Sequence, residues 1–171
     1  TTTNLYRNFL TKLWILDPVP GWAPASNEFT RLTVSPKHQL ADPALAARLL
    51  QLSASTLTSS QGAHMLGPLF ESLVTLSVRV AAQAAEATVS HLRTKKGDHE
   101  VDLIVQGSEG EVLGIEVKLA PVITDTDVRH LLWLRDKMPD SVTNLVVITT
   151  GTQVYRRTDG VLVLPLSMLA E

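Results

Sequence analysis

The sequence contains no cysteine. Disulfides, thiol nucleophiles and cysteine-ligated zinc are therefore excluded. Its five histidines are scattered and form no His-x-x-x-His pair, which argues against a histidine-rich zinc site. No Gly-rich segment ends in Gly-Lys-Ser/Thr, so there is no Walker A loop and no ATP site is expected in these residues. No uninterrupted apolar run reaches the ~18 residues that span a bilayer. Residues 1–10 lack the basic-then-apolar order of a signal peptide. The expectation is a cytoplasmic protein without membrane insertion. A basic surplus is missing as well. The net charge is −2 and the pI ≈ 6.2, which counts against a protein that coats nucleic acid. It leaves room for an enzyme that meets DNA through a local basic patch around an acidic metal site.

What is present is an ordinary apolar content over 171 residues, enough for one hydrophobic core with or without a small appendage. Residues 3–16 have the spacing of an amphipathic helix already under way, without an initiator Met, and read as a fragment of a longer protein. Asp17-Pro18-Val19-Pro20-Gly21 is a breaker cluster. A short strand is expected at 31–35. Asp42-Pro43 supplies an N-cap and N1 pair for a helix to about Leu50, and Ser53 to Gln61 reads as a loop. Gly67-Pro68 opens a long helix to about Ala85, with Leu69, Leu73, Leu76 and Val80 on one stripe. Strand-like runs follow at 89–93, 100–106 and 111–119, joined by the turns 95–98 and 108–110. A helix over 124–137 starts at a Thr124/Asp127 capping box. Residues 145–149 form an apolar strand, 160–164 another, and 165–170 a terminal turn or helix. Helix, three strands, helix, strand is an α/β sandwich with a mixed sheet.

Strand alternation gives this order its chemistry. In Glu100-Val101-Asp102-Leu103 the acids share one face and the apolar pair the other; in Gly114-Ile115-Glu116-Val117-Lys118, Glu116 and Lys118 share a face. Pairing through the 108–110 turn brings Asp102 beside Glu116. Two carboxylates that close repel, and a hard divalent cation relieves the repulsion. Mg²⁺ (or Mn²⁺) held there polarises a phosphodiester oxygen and lowers the pKa of bound water. Lys118 orients that water or stabilises charge on the phosphate. Glu71, one turn into the long helix, extends the acidic cluster if that helix packs beside the strands. The residues alone equally describe a salt-bridge network on a half-exposed sheet face, with Glu71 an acid favoured near a helix N-terminus.

The stretches 67–74, Leu92-Arg93-Thr94, Glu100-Val101-Asp102-Leu103-Ile104-Val105 and Ile115-Glu116-Val117-Lys118 resemble the carboxy-terminal domain of unknown function found on AAA-type P-loop ATPases of bacteria and archaea. That domain is similar to the PD-(D/E)XK, or restriction-endonuclease-like, nuclease superfamily. Residues 36–46 resemble the family's lead-in to a short helix, and 3–16 with the segment after it resemble the tail of a winged-helix piece. The resemblance implies an αβββαβ core over 61–171, preceded by a winged-helix remnant and linker over 1–60. It puts Asp102, Glu116 and Lys118 at the signature positions and Glu71 on the first core helix. It also implies an upstream ATPase domain of the same polypeptide as partner, with the ATP site there.

Arg93, Lys95 and Lys96 can guide a phosphate backbone or form a solvated hairpin tip; Arg129 and His130 can touch phosphate or serve as surface and packing residues. His91 reads as structural, Arg156-Arg157 as a solvated pair in a turn, and the three tryptophans as packing residues. Three functions follow. The first is a Mg²⁺-dependent hydrolase of DNA phosphodiesters. The second is an inactive nuclease fold that binds DNA or a protein. The third is an assembly or regulatory domain of the ATPase, with homo-oligomerisation one route.

Overall fold

The computed structural model describes residues 2–23, 35–94 and 97–169. The first helix, α1 (Thr2–Lys12), is shorter than the apolar spacing predicts. Trp14 stops it by adopting φ 57°. Ile15 N then donates to Leu10 O, and Trp14 N to Thr11 O. This is a Schellman cap with tryptophan, not glycine, in the left-handed position. Leu5, Tyr6, Phe9 and Leu13 stay more than half exposed.

The breaker cluster after it overlaps a strand. Leu16–Val19 is a strand, β1, paired antiparallel with β2 (Lys37–Leu40) in a separate two-stranded ribbon. Pro18 fits because β1 has a partner on one side only, so its missing N–H breaks no ladder. Of the strand expected at 31–35, residues 31–34 lie outside the described residues. Asp42 caps α2 (Pro43–Leu49) as expected, accepting from Ala44 N and Leu45 N. The Ser/Thr-rich segment contains a turn of helix, α3 (Ala54–Leu57), because Ser53 Oγ accepts from Thr56 N.

The long helix α4 (Ala63–Ala84) starts a turn before the Gly-Pro pair, with Pro68 inside it. Strands β3 (Thr88–Arg93), β4 (Glu100–Gln106) and β5 (Val112–Lys118) follow, then α5 (Asp125–Lys137) and β6 (Val142–Thr149). Two short strands close the chain, β7 (Tyr155–Arg156) and β8 (Leu162–Pro165), before a 3₁₀ turn at Leu166–Leu169. The six-stranded sheet has the order β3-β4-β5-β6-β8-β7. Strands β5, β6 and β8 run parallel; the other pairings are antiparallel. From α4 to β6 this is the expected αβββαβ core in a mixed sheet.

A helix covers each face. On one, Val128, Leu131 and Leu134 of α5 pack with Val112, Leu145, Val147 and Val163. On the other, Val74 and Val78 of α4 pack with Leu103, Ile115, Val146 and Ile148. The segment before residue 60 reaches both layers: Val19 is fully buried in the α4 layer and Trp22 lies in the α5 layer. Trp22 N donates to His91 O, and its indole Nε1 to Gln106 Oε1.

Among the described residues, α4 is the one helix long and apolar enough to cross a membrane by length and composition. Here its buried stripe lies on the sheet, and its Arg79 pairs with Asp17 at 3.0 Å. Arg157 is not solvated as expected. It pairs with Asp125 and Asp159 and donates to Ile123 O, tying the β7–β8 turn to the start of α5.

Candidate functional site

The alternation expected along β4 fails at one point. Between Ser90↔Ile104 and Leu92↔Val101 the register slips, with one more residue on β4 than on β3. The extra residue is a bulge, and it sends Val101 and Ile104 into the α5 layer while Leu103 enters the α4 layer. Asp102 sits inside this bulge. The β4–β5 ladder ends at Leu103↔Ile115, and the Asp102 carboxylate takes the place of a strand acceptor: Val117 N donates to its Oδ2 at 3.0 Å.

On β5 the alternation holds. Gly114 faces Leu131 and Leu134 of α5, and Ile115 belongs to the α4 layer. Glu116 and Lys118 therefore share the α5 face, as expected. Glu71 comes from α4, on the opposite layer. Asp102 is common to both groups. Its charge acts on Glu116, and its Oδ1 shares one ammonium with Glu71.

That ammonium belongs to Lys37 at the start of β2, a residue without an expected role. Its Nζ lies 2.5 Å from Glu71 Oε1, 3.1 Å from Asp102 Oδ1 and 3.7 Å from Glu100 Oε1. Burial pulls its pKa down, but Asp102 and Glu71 outweigh burial and hold it above the ordinary lysine value. Gln39, on the same face of β2, fixes Glu71: its Nε2 donates to Glu71 Oε1 at 2.8 Å while Ser72 Oγ donates to its Oε1 at 2.8 Å. Parity along 37–39, in the lead-in segment, is the local signal that pairs Lys37 with Gln39. The third acid, Glu100, joins the same group from the start of β4.

Glu116 is buried, with Oε1 2.8 Å from Lys118 Nζ. Its Oε2 is buried without a hydrogen-bond partner. Burial first, and the Asp102 charge second, push its pKa up to about 7, against the pull of Lys118. Burial would lower Lys118, but Glu116 and Asp102 outweigh it and keep the amine protonated. Lys118 is thus held as a cation in this arrangement. Beside this end of the sheet a pocket of ≈ 330 Å³ opens between Pro68, Phe70 and Glu71 of α4 and Val117 and Lys118 of β5.

A folded pKa raised above its unfolded value favours the folded state when the carboxyl is protonated. The stability linked to Glu116 is present below pH ~4.5, its ordinary value, and is lost as pH rises through about 7. Wild type should gain thermal stability between pH 8 and 6 relative to Glu116→Gln, measured as the difference in Tm at each pH. A difference that does not change with pH would mean Glu116 does not titrate there.

The basic candidates lie further out. Arg93 is largely exposed and 3.8 Å from Glu100. Lys95 and Lys96 fall outside the described residues. Arg129 Nε donates to His130 Nε2. His130 Nδ1 lies 3.3 Å from His99 Nδ1, and His99 stacks on Trp133 at 4.0 Å. His99, unremarked in the sequence, joins α5 to the start of β4.

A family model described as a domain of unknown function, DUF4143, matches residues 66–169. The chain belongs to the DUF4143 family. The matched span contains Glu71, Asp102, Glu116 and Lys118; Lys37 and Gln39 lie before it. No curated protein and no solved structure matches the DUF4143 chain.

Glu71, Asp102 and Glu116 can offer oxygen to a hard cation at this DUF4143 site, and Glu116 Oε2 is a buried oxygen without a hydrogen-bond partner. An ammonium already bridges Glu71 and Asp102, so a cation suits this position. The arrangement is nonetheless drawn around that ammonium: among the described residues, no three His, Asp or Glu side chains are grouped to hold a metal ion. The donor chemistry fits; the side chains must close in to use it.

Proposed function

We propose that this DUF4143 chain is a nuclease-type module that hydrolyses DNA phosphodiesters with a divalent metal. The observation that carries the reading is the joining of Asp102, Glu116 and Lys118 at one end of the sheet, with a buried, unpartnered carboxylate oxygen, while Lys118 and Glu71 line an open pocket on the α4 side. Asp102, Glu116 and Glu71 would hold Mg²⁺ or Mn²⁺. When bound, the ion supplies a Lewis acid for a phosphoryl oxygen and lowers the pKa of coordinated water. Lys118 stays charged and stabilises negative charge building on the phosphate. Arg93 and Arg129, with Lys95 and Lys96, would supply positive charge for a phosphate backbone, and His130 a polar contact beside them. A place on an AAA-type ATPase, in the cytoplasm, is part of the same reading.

A second reading is favoured by one specific contact. Lys37 already bridges Glu71 and Asp102, as it would in a nuclease fold retained as a platform for DNA or a protein. Cleavage of supercoiled plasmid and single-stranded DNA, in Mg²⁺ and in Mn²⁺, separates the two. The hydrolase reading expects cleavage that EDTA stops and that Lys118→Ala reduces on the order of 10²-fold. Wild type that leaves both DNAs intact, or Lys118→Ala that cleaves equally, would sink it in favour of the platform.

A further inference from the structure

Two carboxylates of this cluster are positioned by neutral groups. Asp102 Oδ2 is held by Val117 N, and Glu71 Oε1 by Gln39 Nε2. Neither needs Lys37 to keep its orientation. What Lys37 supplies is charge. Glu71, Glu100 and Asp102 surround its single ammonium, and Glu116 adds a fourth acid whose buried Oε2 has no partner. Lys118 pairs with Glu116 and Arg93 stands near Glu100, so among the described residues Lys37 is the one cation that Glu71 and Asp102 share, a strong but incomplete counterion for two carboxylates. A compact ammonium on a flexible four-carbon stem can also withdraw without moving the backbone that carries it. Lys37 is at the first position of a four-residue strand, with a side chain 25 % exposed, so its way out is short.

We propose that Lys37 is a built-in cation that occupies the carboxylate cluster, and that a divalent ion binds Glu71 and Asp102 by displacing it. The inference rests on the metal-site reading above and deepens it: the resting site is closed by the protein's own ammonium, and metal affinity is set by a competition within the chain. Because the ribbon that carries Lys37 also buries Val19 and Gln39 against the core, the competing cation is delivered at fixed local concentration.

The test is titration of the full chain with Mn²⁺, following the free-ion signal by electron paramagnetic resonance, together with thermal unfolding in EDTA and in Mn²⁺. Lys37→Met should bind Mn²⁺ at least about tenfold more tightly than wild type, since a metal no longer has to break two charged contacts. It should melt below wild type in EDTA, and Mn²⁺ should raise its Tm by more than it raises that of wild type. Lys37→Gln, which keeps a polar stem, is the second variant if Lys37→Met does not fold without metal. Lys37→Arg, which keeps the charge, should bind no more tightly than wild type. Arg93→Met removes a nearby exposed charge and should change affinity less than about twofold. Equal tightening in Arg93→Met would reduce the effect to general charge and overturn the proposal. Wild type that binds Mn²⁺ while the Lys37 variants bind no better would overturn the competition and leave the metal site standing. If neither binds, both readings fall.

Discussion

Asp102→Asn should lose Mn²⁺ binding and with it metal-dependent cleavage, by at least about 10²-fold. The substitution is nearly isosteric, so the effect comes from hydrogen-bond arithmetic and charge. The two oxygens of Asp102 face different demands. Oδ1 accepts from the Lys37 ammonium and Oδ2 from Val117 N–H. Both partners are donors. An amide has one acceptor oxygen and one NH₂, so either orientation turns a donor toward a donor. If the NH₂ faces Lys37, the ammonium keeps only Glu71 and the longer contact to Glu100; if it faces Val117, the bulge loses its anchor. The cost to the fold is on the order of 1–3 kcal/mol, while the loss to the site is larger. Asp102 is the residue shared by the Glu71–Lys37 group and the Glu116–Lys118 group. The same variant should lower the pKa of Glu116, because the Asp102 charge is the second cause of its rise after burial. Mn²⁺ titration and a carboxyl NMR titration of Glu116 read the two effects separately. Unchanged metal affinity in Asp102→Asn would show that this carboxylate is not a ligand, and an unchanged Glu116 titration would show that the two groups do not interact.

Much of this arrangement is legible in local sequence. The period-2 pattern of β5 puts Glu116 and Lys118 on one face because Ile115 and Val117 need the other. The Thr124/Asp127 box fixes the start of α5, and both Thr124 N and Oγ1 donate to Asp127 Oδ2. The apolar stripe after Gly67-Pro68 finds the long helix, although it misses the turn before it. What local pattern does not carry is the position of Asp102. Val101, Leu103 and Ile104 are all apolar, so the same letters serve a regular strand or a bulge, and the pairing with β3 decides between them. Nor does it carry Lys37. A lysine on a four-residue strand has no periodic signature, and its partners Glu71 and Asp102 are distant along the chain. The strand at Leu16–Val19 goes unread for a related reason. Proline forbids an interior strand position but not the open side of a two-stranded ribbon, and only the tertiary partner tells which is present.

The site also depends on how closely α5 rides over β5. Gly114, two residues before Glu116, has no side chain because α5 leaves no space for one. A β-carbon there would meet Leu134 Cδ2 at 3.1 Å and Leu131 and Leu145 Cδ2 at 3.2 Å. Leu131 is fully buried on the other side of this contact. Leu131→Ala should therefore destabilise the fold by about 2–5 kcal/mol through lost burial and the cavity left behind. In a domain of this size that lowers Tm by roughly 10 °C. Gly114→Ala should cost about 1–3 kcal/mol for the opposite reason, overpacking. Its φ is not in the left-handed region, so the backbone itself accepts alanine. The two changes touch the same volume. In the Leu131→Ala background one of the three crowding methyl groups is gone, and the new methyl partly refills the cavity. The double variant should be more stable than the sum of the single losses by about 0.5–3 kcal/mol, measured by denaturant unfolding. Strict additivity would mean that α5 does not rest on Gly114. Coupling would mean that this glycine sets the height of α5, and so the distance from Asp127 and His130 on that helix to Lys118, whose charge both of them feel.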